Sequence, residues 1–522
     1  MTNQCGCYAI IIGAGHNGLV AAAYLAKQGK KVLVLERRAI VGGSVVTESF
    51  AEGPRSGSEG FTVDSVQTGG TLRADIIKDL KLASHGLRLD SVRKPFISLL
   101  SDSNSLILDP DPAKASQSIK QFSPKDAARW GEFVRFMDKS AKILEKAYST
   151  IMPRLGTLPR LPMNFGIKEG FGLMELGLEL KFAGSKDMLN FIRALPMTAQ
   201  ELVEEYFESE VVKAAVASLG IHGFTLGPMG AGTGYTLIHN WMNRGGMSHV
   251  NVGKVGEITS ALANVVKAYG GEIRCEAEVE RIQVDKYTCS GVVLANGEEI
   301  PAETVISAAD PKHTLLKLVG ARELPPEFVW HVQSIKMRGS VAKVHLLTDG
   351  KHGIPEGTIV LAPSIKYLER AYDAAKYGEI SEKPYLEVTT SVSESAHSLR
   401  SVVSIHFQFA PYHLKAGDWR LDGKKIEKLA IDTLSEYFPN LQSLISNSHI
   451  ITPLDLEQTY GLTEGDLNHG QLMLDQFLFM RPMPGWSNHK TPIDNLYLCG
   501  SGVHGGGGVS GVSGRNVVKV LK

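Results

Sequence analysis

The chain predicts an α/β fold: a Rossmann-like dinucleotide-binding domain assembled from separate pieces, with an α+β domain interleaved between them. Three observations carry this. A strand, a glycine loop, a helix and a second strand follow one another from Tyr8 to Glu36. Near the other end, a second apolar strand runs into a second glycine loop over 495–508. Between them, helical and strand patterns alternate without forming regular repeats.

Tyr8-Ala-Ile-Ile-Ile12 is short, apolar and β-branched at its centre, as befits a strand buried on both faces of a parallel sheet. Gly13-Ala-Gly15-His16-Asn17-Gly18 follows at once and reads G-x-G-x-x-G. Its glycines suit a tight turn, close approach of backbone to a pyrophosphate, and close packing of helix on strand. The helix opening near Asn17 turns free N–H groups toward that pyrophosphate, which places His16 and Asn17 in the candidate site. Leu19 to Gln28 is rich in good helix formers and is closed by Gly29. Lys31 to Glu36 is the next strand, and Glu36 stands about 20 positions beyond the loop, where ribose hydroxyls would be held. An ordinary tight glycine turn would explain neither Glu36 nor the pair Gly42-Gly43. Glu36 would repel a 2′-phosphate and so argues against NADP, although Arg37 and Arg38 keep that reading open.

In this spacing Gly13, Gly15, Gly18, Ala22, Leu25, Gly29, Val32, Val34, Glu36, Gly42 and Gly43 resemble the extended signature of the two-domain FAD oxidoreductases, which include amine oxidases and phytoene desaturases. The resemblance implies bound FAD, with Gly42 and Gly43 beside its pyrophosphate and flavin end.

Composition narrows the class. Lys plus Arg and Asp plus Glu both total 55 in 522 residues, so nothing points to nucleic acid or to strong attraction by an anionic membrane. A chain of this length suggests two or three domains. Cys5, Cys7, Cys275, Cys289 and Cys499 contain no C-x-x-C pair, so a disulfide-reductase mechanism has no dithiol to work with. Scattered, odd-numbered cysteines fit a reducing compartment, and Cys5-Gly-Cys7 is too closely spaced for a zinc pair. No metal ligand set stands out. Only seven residues precede the first strand and no apolar run reaches 18 residues, so the expectation is a cytoplasmic protein without a signal peptide, with association at a membrane surface kept open.

Taken in order, Ser44 to Gly70 is rich in Gly, Ser and Thr and reads as loop-dominated, and Thr71 to Leu82 reads as helical. Phe96 to Leu100 and Ser105 to Leu108 suggest two short strands around a polar turn. Ser123-Pro124 is a helix start, with serine as cap and proline at the first helical position. Trp130, Phe133, Val134, Met137, Ala141, Leu144 and Tyr148 then recur at helical spacing, as a core stripe does. The apolar stretch from Phe171 to Phe182 admits two readings, buried packing of a helical domain or the wall of an apolar substrate tunnel. Val255 to Tyr269 is an amphipathic helix stopped by Gly270-Gly271, Glu272 to Val284 alternates as a strand, and Asn296-Gly297 is a strong hairpin signal. Thr304 to Ala309 is a strand, with Asp310-Pro311 opening a helix that Gly320 closes. In the flavoproteins that this mid-chain order resembles, the residue at the place of Val279 lies near the adenine through its backbone. Val341 to Leu347 and Val402 to Phe409 read as strands, and Lys424 to Tyr437 as a helix.

Asn495 to Cys499 is an apolar strand leading into Gly500-Ser-Gly502-Val-His-Gly-Gly-Gly-Gly508 and a helix through Val509 to Leu521. Gly500, Gly502 and Gly505 formally repeat G-x-G-x-x-G, but too few residues follow for a second βαβ unit. The better reading is a second backbone cradle for the same cofactor, formed by Gly500, Gly502, Gly508, Val509 and Ser510.

The start GHNGLVAAAYL, with 305–320, 465–486 and 495–511, looks like the phytoene-desaturase-like branch of these enzymes, and within it resembles the pyridine nucleotide-disulfide oxidoreductase domain-containing protein 2 family. That family usually has proline where Gly505 stands and Ala-Pro where Val512-Ser513 stands, so a looser closing loop is expected here. The resemblance implies an FAD-binding domain from 1–70, 245–320 and 486–522, and a substrate-binding domain from 71–244 and 321–485. It also implies hydride removal from an apolar small molecule, with electrons passed to oxygen, a quinone or another acceptor. A flavin-dependent isomerase of a polyene-like substrate, and a flavin-containing interaction protein with vestigial activity, remain as alternatives. His504, His469 and Arg481 are the candidates for polarising substrate or flavin, each set against an ordinary structural role. A homodimer is neither implied nor excluded.

Overall fold

The computed structural model describes residues 7–50, 61–70, 72–89, 93–100, 104–152, 185–248, 254–392 and 400–521. Cys7–Ile12 forms β1, the centre of the first sheet, and each of its residues from Ala9 to Ile11 is wholly buried. Val32–Leu35 (β2) lies parallel to it on one side. On the other side lies the far half of Glu299–Ser307 (β10), also parallel, with Ala9 opposite Thr304 and Ile12 opposite Ser307.

Glu272–Arg274 (β7) extends the sheet beyond β2, and Leu496–Leu498 (β16) pairs with the outer edge of β10. The near half of β10 turns back into Thr288–Leu294 (β9) and Val279–Asp285 (β8) as antiparallel partners. Asn296-Gly297 makes the β9–β10 turn as expected: Gly297 has φ +86, and Asn296 Oδ1 accepts from Glu298 N at 2.9 Å. Helices His16–Lys27, Gly256–Ala268 and Val512–Leu521 cover one face of this sheet. Strands drawn from 7–35, 272–307 and 496–498 thus share one layer.

The second sheet runs Ile445–Ile451 (β15), Val341–Asp349 (β11), Arg400–Gln408 (β14), Tyr385–Val392 (β13), Thr358–Val360 (β12), Phe96–Leu99 (β5) and Ser105–Leu108 (β6). It is antiparallel except where β12 meets β5. Helix Trp419–Ser435 covers one face through Ile426, Ala430 and Leu434. A helical layer built on Pro124–Ser149, Glu210–Ile221 and Thr233–Arg244 packs through Trp130, Phe133, Met137, Leu144 and Tyr148. Ser123 caps the first of these by accepting from Asp126 N, with Pro124 at the first helical position.

Three expectations are corrected. The stretch read as loop-dominated holds an antiparallel pair, Thr47–Phe50 (β3) and Phe61–Asp64 (β4). Each strand is only four residues long, too short for its alternation to stand out among glycines and serines. The single strand expected from Glu272 to Val284 is two, broken where Glu276 turns left-handed at φ +55. The helix read from Thr71 to Leu82 is Ala74–Asp79 followed by a 3-10 turn, Leu82–His85, with Lys81 at φ +50 between them. The helix opened by Asp310-Pro311 and closed at Gly320 is as expected, and it is π-helical over His313–Gly320. The apolar stretch from Phe171 to Phe182 and Cys5 lie outside the described residues. Among the described residues no helix is long and apolar enough to cross a membrane.

Candidate cofactor cleft

β1 and β2 end side by side, and the chain leaves both through turns that face one cleft with an empty volume of about 1000 Å³, its open mouth included. Gly13, at φ +92, makes the sharp exit from β1. Gly18 allows the helix to pack on the strand, since a Cβ there would stand 2.2 Å from Gly13 O and 3.3 Å from Ile11 Cγ2. Gly43 brings the second turn against the first, its Cβ position 3.3 Å from Gly15 Cα, and Gly42 N donates to Ala14 O at 2.9 Å.

Gly15 differs from these glycines. Its φ of −69 suits any residue, and an added Cβ would meet nothing within 4 Å. Neither backbone strain nor packing requires glycine there. What a side chain at Gly15 would fill is the cleft itself, next to the N-terminus of the helix His16–Lys27, where an anionic group is favoured.

Glu36 is part of the cleft wall. Its carboxylate is buried and accepts from Ala14 N at 2.8 Å and from Arg38 N at 2.9 Å, so its orientation is fixed by backbone while it still lines the cleft. Val279 lies on the adjoining wall. His16, Asn17, Ser44, Ser501 and His469 line the cleft as well. His16 Nε2, Asn17 Oδ1 and His469 Nδ1 are buried there with no hydrogen-bond partner among the described residues. Burial and the neighbouring His469 push His16 down to about 4, and burial lowers His469 as well, so both rings are neutral. A buried carboxylate at Glu36, an open space at Gly15 beside a helix N-terminus, and unpartnered polar atoms on His16, Asn17 and His469 fit a dinucleotide in the cleft.

Of the residues singled out from sequence, Gly13, Gly15, His16, Asn17, Glu36, Arg37, Gly43, Val279 and His469 line this cleft. Gly18 and Gly42 shape its turns. The closing loop contributes Ser501, whose Oγ accepts from Asn17 Nδ2 at 3.4 Å and so ties the two glycine loops together. Gly500 and Gly502 lie against Ala308 O and Pro311, with added Cβ atoms 2.6 and 2.5 Å from them. Gly508 lies against Asn243, Val509 against Gly70, and Ser510 O accepts from Arg73 N.

Arg481 is 1% exposed and does not line the cleft. Its guanidinium donates to Ser501 O at 2.7 Å, Asn468 O at 2.6 Å and Gly470 O at 3.3 Å. It thereby fixes the two cleft residues Ser501 and His469 from behind, and burial lowers it from the ordinary arginine range. His504 also lies off the cleft: its Nε2 donates to Thr150 O at 2.9 Å, at the end of helix Pro124–Ser149, and burial holds it near 4.

Several cleft residues were not found from sequence. His313 and Ala308 follow β10, and the strand-to-helix transition at Ala309-Asp310 was the signal that could have found them. Tyr460, Gly461 and Leu462 come from the end of helix Pro453–Tyr460, far from either glycine motif, and only the fold brings them in. The looser closing loop is not what the residues at 512 and 513 make. Val512 is wholly buried and Ser513 Oγ donates to Cys499 O at 2.7 Å, pinning the last helix to β16.

Residues 18–519 match the family described as flavin containing amine oxidoreductase. The chain is 31% identical to pyridine nucleotide-disulfide oxidoreductase domain-containing protein 2 of Rattus norvegicus, over 98% of this chain and 93% of that one. It is 26% identical to a lycopene-forming phytoene desaturase of Pseudescherichia vulneris, over 96% of each chain. Among solved structures, an oxidoreductase from Methanosarcina mazei superposes with a TM-score of 0.60 at 16% identity, covering 98% of this chain and all of that one.

Proposed function

The chain belongs to the flavin containing amine oxidoreductase family and is an FAD-dependent oxidoreductase; from this premise we propose that it removes a hydride from an apolar organic substrate and passes the electrons to oxygen, a quinone or another acceptor. The observation that carries the reading is Gly15, a glycine that only a ligand in the cleft requires. FAD supplies the hydride-accepting ring, as the chemistry of such enzymes belongs to the cofactor. The protein's own contribution is position and field. Glu36 would hold the ribose hydroxyls, the N–H groups opening helix His16–Lys27 would face the pyrophosphate, and His16, Asn17 and Ser501 would meet the cofactor at its other end.

Residues 1–70, 245–320 and 486–522 form the cofactor-binding part in this reading, and 71–244 with 321–485 the substrate-binding part. An apolar substrate is supported by the names of relatives, which include phytoene desaturases and a limonene dehydrogenase subunit. Of His469, His504 and Arg481, His469 alone lines the cleft, and as a neutral ring it could accept a proton there. Arg481 and His504 act as positioning residues.

The test is a visible absorption spectrum with identification of the released cofactor, followed by anaerobic mixing with apolar alcohols, amines and polyenes. An FAD spectrum bleached by one of these classes is the expected result. A protein that cannot be loaded with FAD would sink the reading.

A further inference from the structure

We propose that Arg37 and Arg38 form a latch that holds the segment 453–462, whose end lines the cofactor cleft, in place and governs how fast the dinucleotide enters and leaves. The proposal rests on the FAD reading above and assigns a function to residues that do not themselves bind the cofactor's reactive end.

Three consecutive residues leaving β2 face three ways. Glu36 turns into the cleft. Arg37 reaches across to helix Pro453–Tyr460, where its Nη2 donates to Gln458 O at 3.0 Å and Thr459 O at 2.8 Å. Those carbonyls belong to the last turn of that helix, whose bonds are otherwise unmade and whose dipole favours a cation. Gly461, at φ +71, ends the helix immediately beyond them, and the turn it makes lines the cleft opposite Gly13 and Glu36.

Arg38 makes the second hold. It is ion-paired with Glu48 of β3, and its guanidinium lies 4.7 Å from the centre of the Tyr460 ring. Tyr460 Oη donates to Glu48 Oε2 at 2.6 Å, which closes a three-residue ring of contacts at the cleft's edge. Both charges of that pair are largely buried, with side-chain exposures of 15% and 14%, so solvent screens the interaction only in part.

Two consequences distinguish a latch from a simple binding contact. Arg37 and Arg38 line the cleft beside Glu36 and at the same time hold Gln458 O, Thr459 O and Glu48, so releasing those holds frees part of the cleft's wall to move. More directly, residues that must part for the cofactor to pass raise the barrier in both directions. Weakening them should speed FAD entry and FAD release together, whereas losing a direct contact speeds release alone.

The experiment measures FAD association with the apoprotein and FAD release from the holoprotein, both by flavin fluorescence, for the wild type, Arg37→Ala and Glu48→Gln. Glu48 does not line the cleft, so its variant removes no side chain from the cleft wall. The expected result is a rise of at least fivefold in both rates for each variant, with a smaller change in Kd. Faster release with unchanged association would overturn the latch, as would unchanged rates in both variants. A wild-type protein that takes up no FAD would instead overturn the cofactor reading itself, and the latch with it.

Discussion

Asn243 Nδ2 donates to His239 Nε2 at 2.8 Å, directly beneath glycines 507 and 508 of the closing loop. The direction of that bond is fixed from outside, because Arg73 Nη2, which can only donate, holds Asn243 Oδ1 at 3.3 Å. His239 must then carry its proton on Nδ1 and donate to Tyr148 Oη at 3.0 Å, and Tyr148 Oη is also hydrogen-bonded to Tyr235 Oη. Gly507 and Gly508 are glycines for the same reason: added Cβ atoms would stand 2.9 Å from the His239 ring and 2.8 Å from Asn243.

A neutral His239 with its proton on Nδ1 is therefore expected throughout pH 5 to 8. Burial, with Arg73 and Arg481 nearby, pushes its pKa down to about 3, in keeping with this. Nitrogen-15 NMR of labelled imidazole reads the tautomer directly. Asn243→Asp, an acceptor where Nδ2 stood, should move the proton to Nε2 and reverse the bond to Tyr148, whose hydroxyl would then donate to Nδ1; a wild-type ring already protonated on Nε2 would refute the assignment.

The two glycines of the first loop should part company on substitution. Gly15→Ala meets nothing and keeps an ordinary φ, so stability should hold or rise by about 0.4–1 kcal/mol while FAD affinity falls at least tenfold. Gly18→Ala places a methyl group 2.2 Å from Gly13 O and should cost about 1–3 kcal/mol in denaturant unfolding of the apoprotein. Equal effects on stability would mean that Gly15 serves packing after all.

This contrast shows where the sequence is legible. β1, the glycine loop, β2 and Glu36 are contiguous, and their roles follow from local period and spacing, so they were readable in full. The same holds for the Asn296-Gly297 turn and for Ser123 capping its helix. Tyr460 and Gly461 enter the cleft across more than 400 positions, through carbonyls held by Arg37, and no local pattern encodes that. Arg481 was legible as a buried or functional cation but not as either one, because its partners are backbone carbonyls, which every residue possesses.

Gly505 gives a prediction that runs against the family pattern. Relatives are expected to carry proline there, yet Gly505 has φ +78, which the proline ring cannot adopt, and a Cβ would stand 2.9 Å from Tyr148 O. Gly505→Pro should therefore destabilise this chain by at least about 2 kcal/mol. A rise in melting temperature would show that the loop takes the family's path instead.

Stability should fall steeply in mild acid. Burial lowers His16 and His504 to about 4, and His239, His345 and His489 to about 3, so all five stay neutral in the folded state down to those values. In the unfolded chain each takes a proton near its ordinary pKa of about 6.5. Between roughly pH 4 and 6.5 the unfolded state thus binds more protons, and unfolding free energy must rise with pH at up to roughly 1.4 kcal/mol per unit for each ring. Lys343, pushed down to about 7 by burial, adds a rise of the same sign from pH 7 toward 10.5. The negative charge of bound FAD would raise the proton affinity of His16, which lines the cleft, so the holoprotein should show a shallower acid slope than the apoprotein. Urea unfolding of both forms from pH 4.5 to 7 measures the two slopes, and His16→Gln should bring them together; identical slopes in the wild type would remove His16 from the cofactor's surroundings.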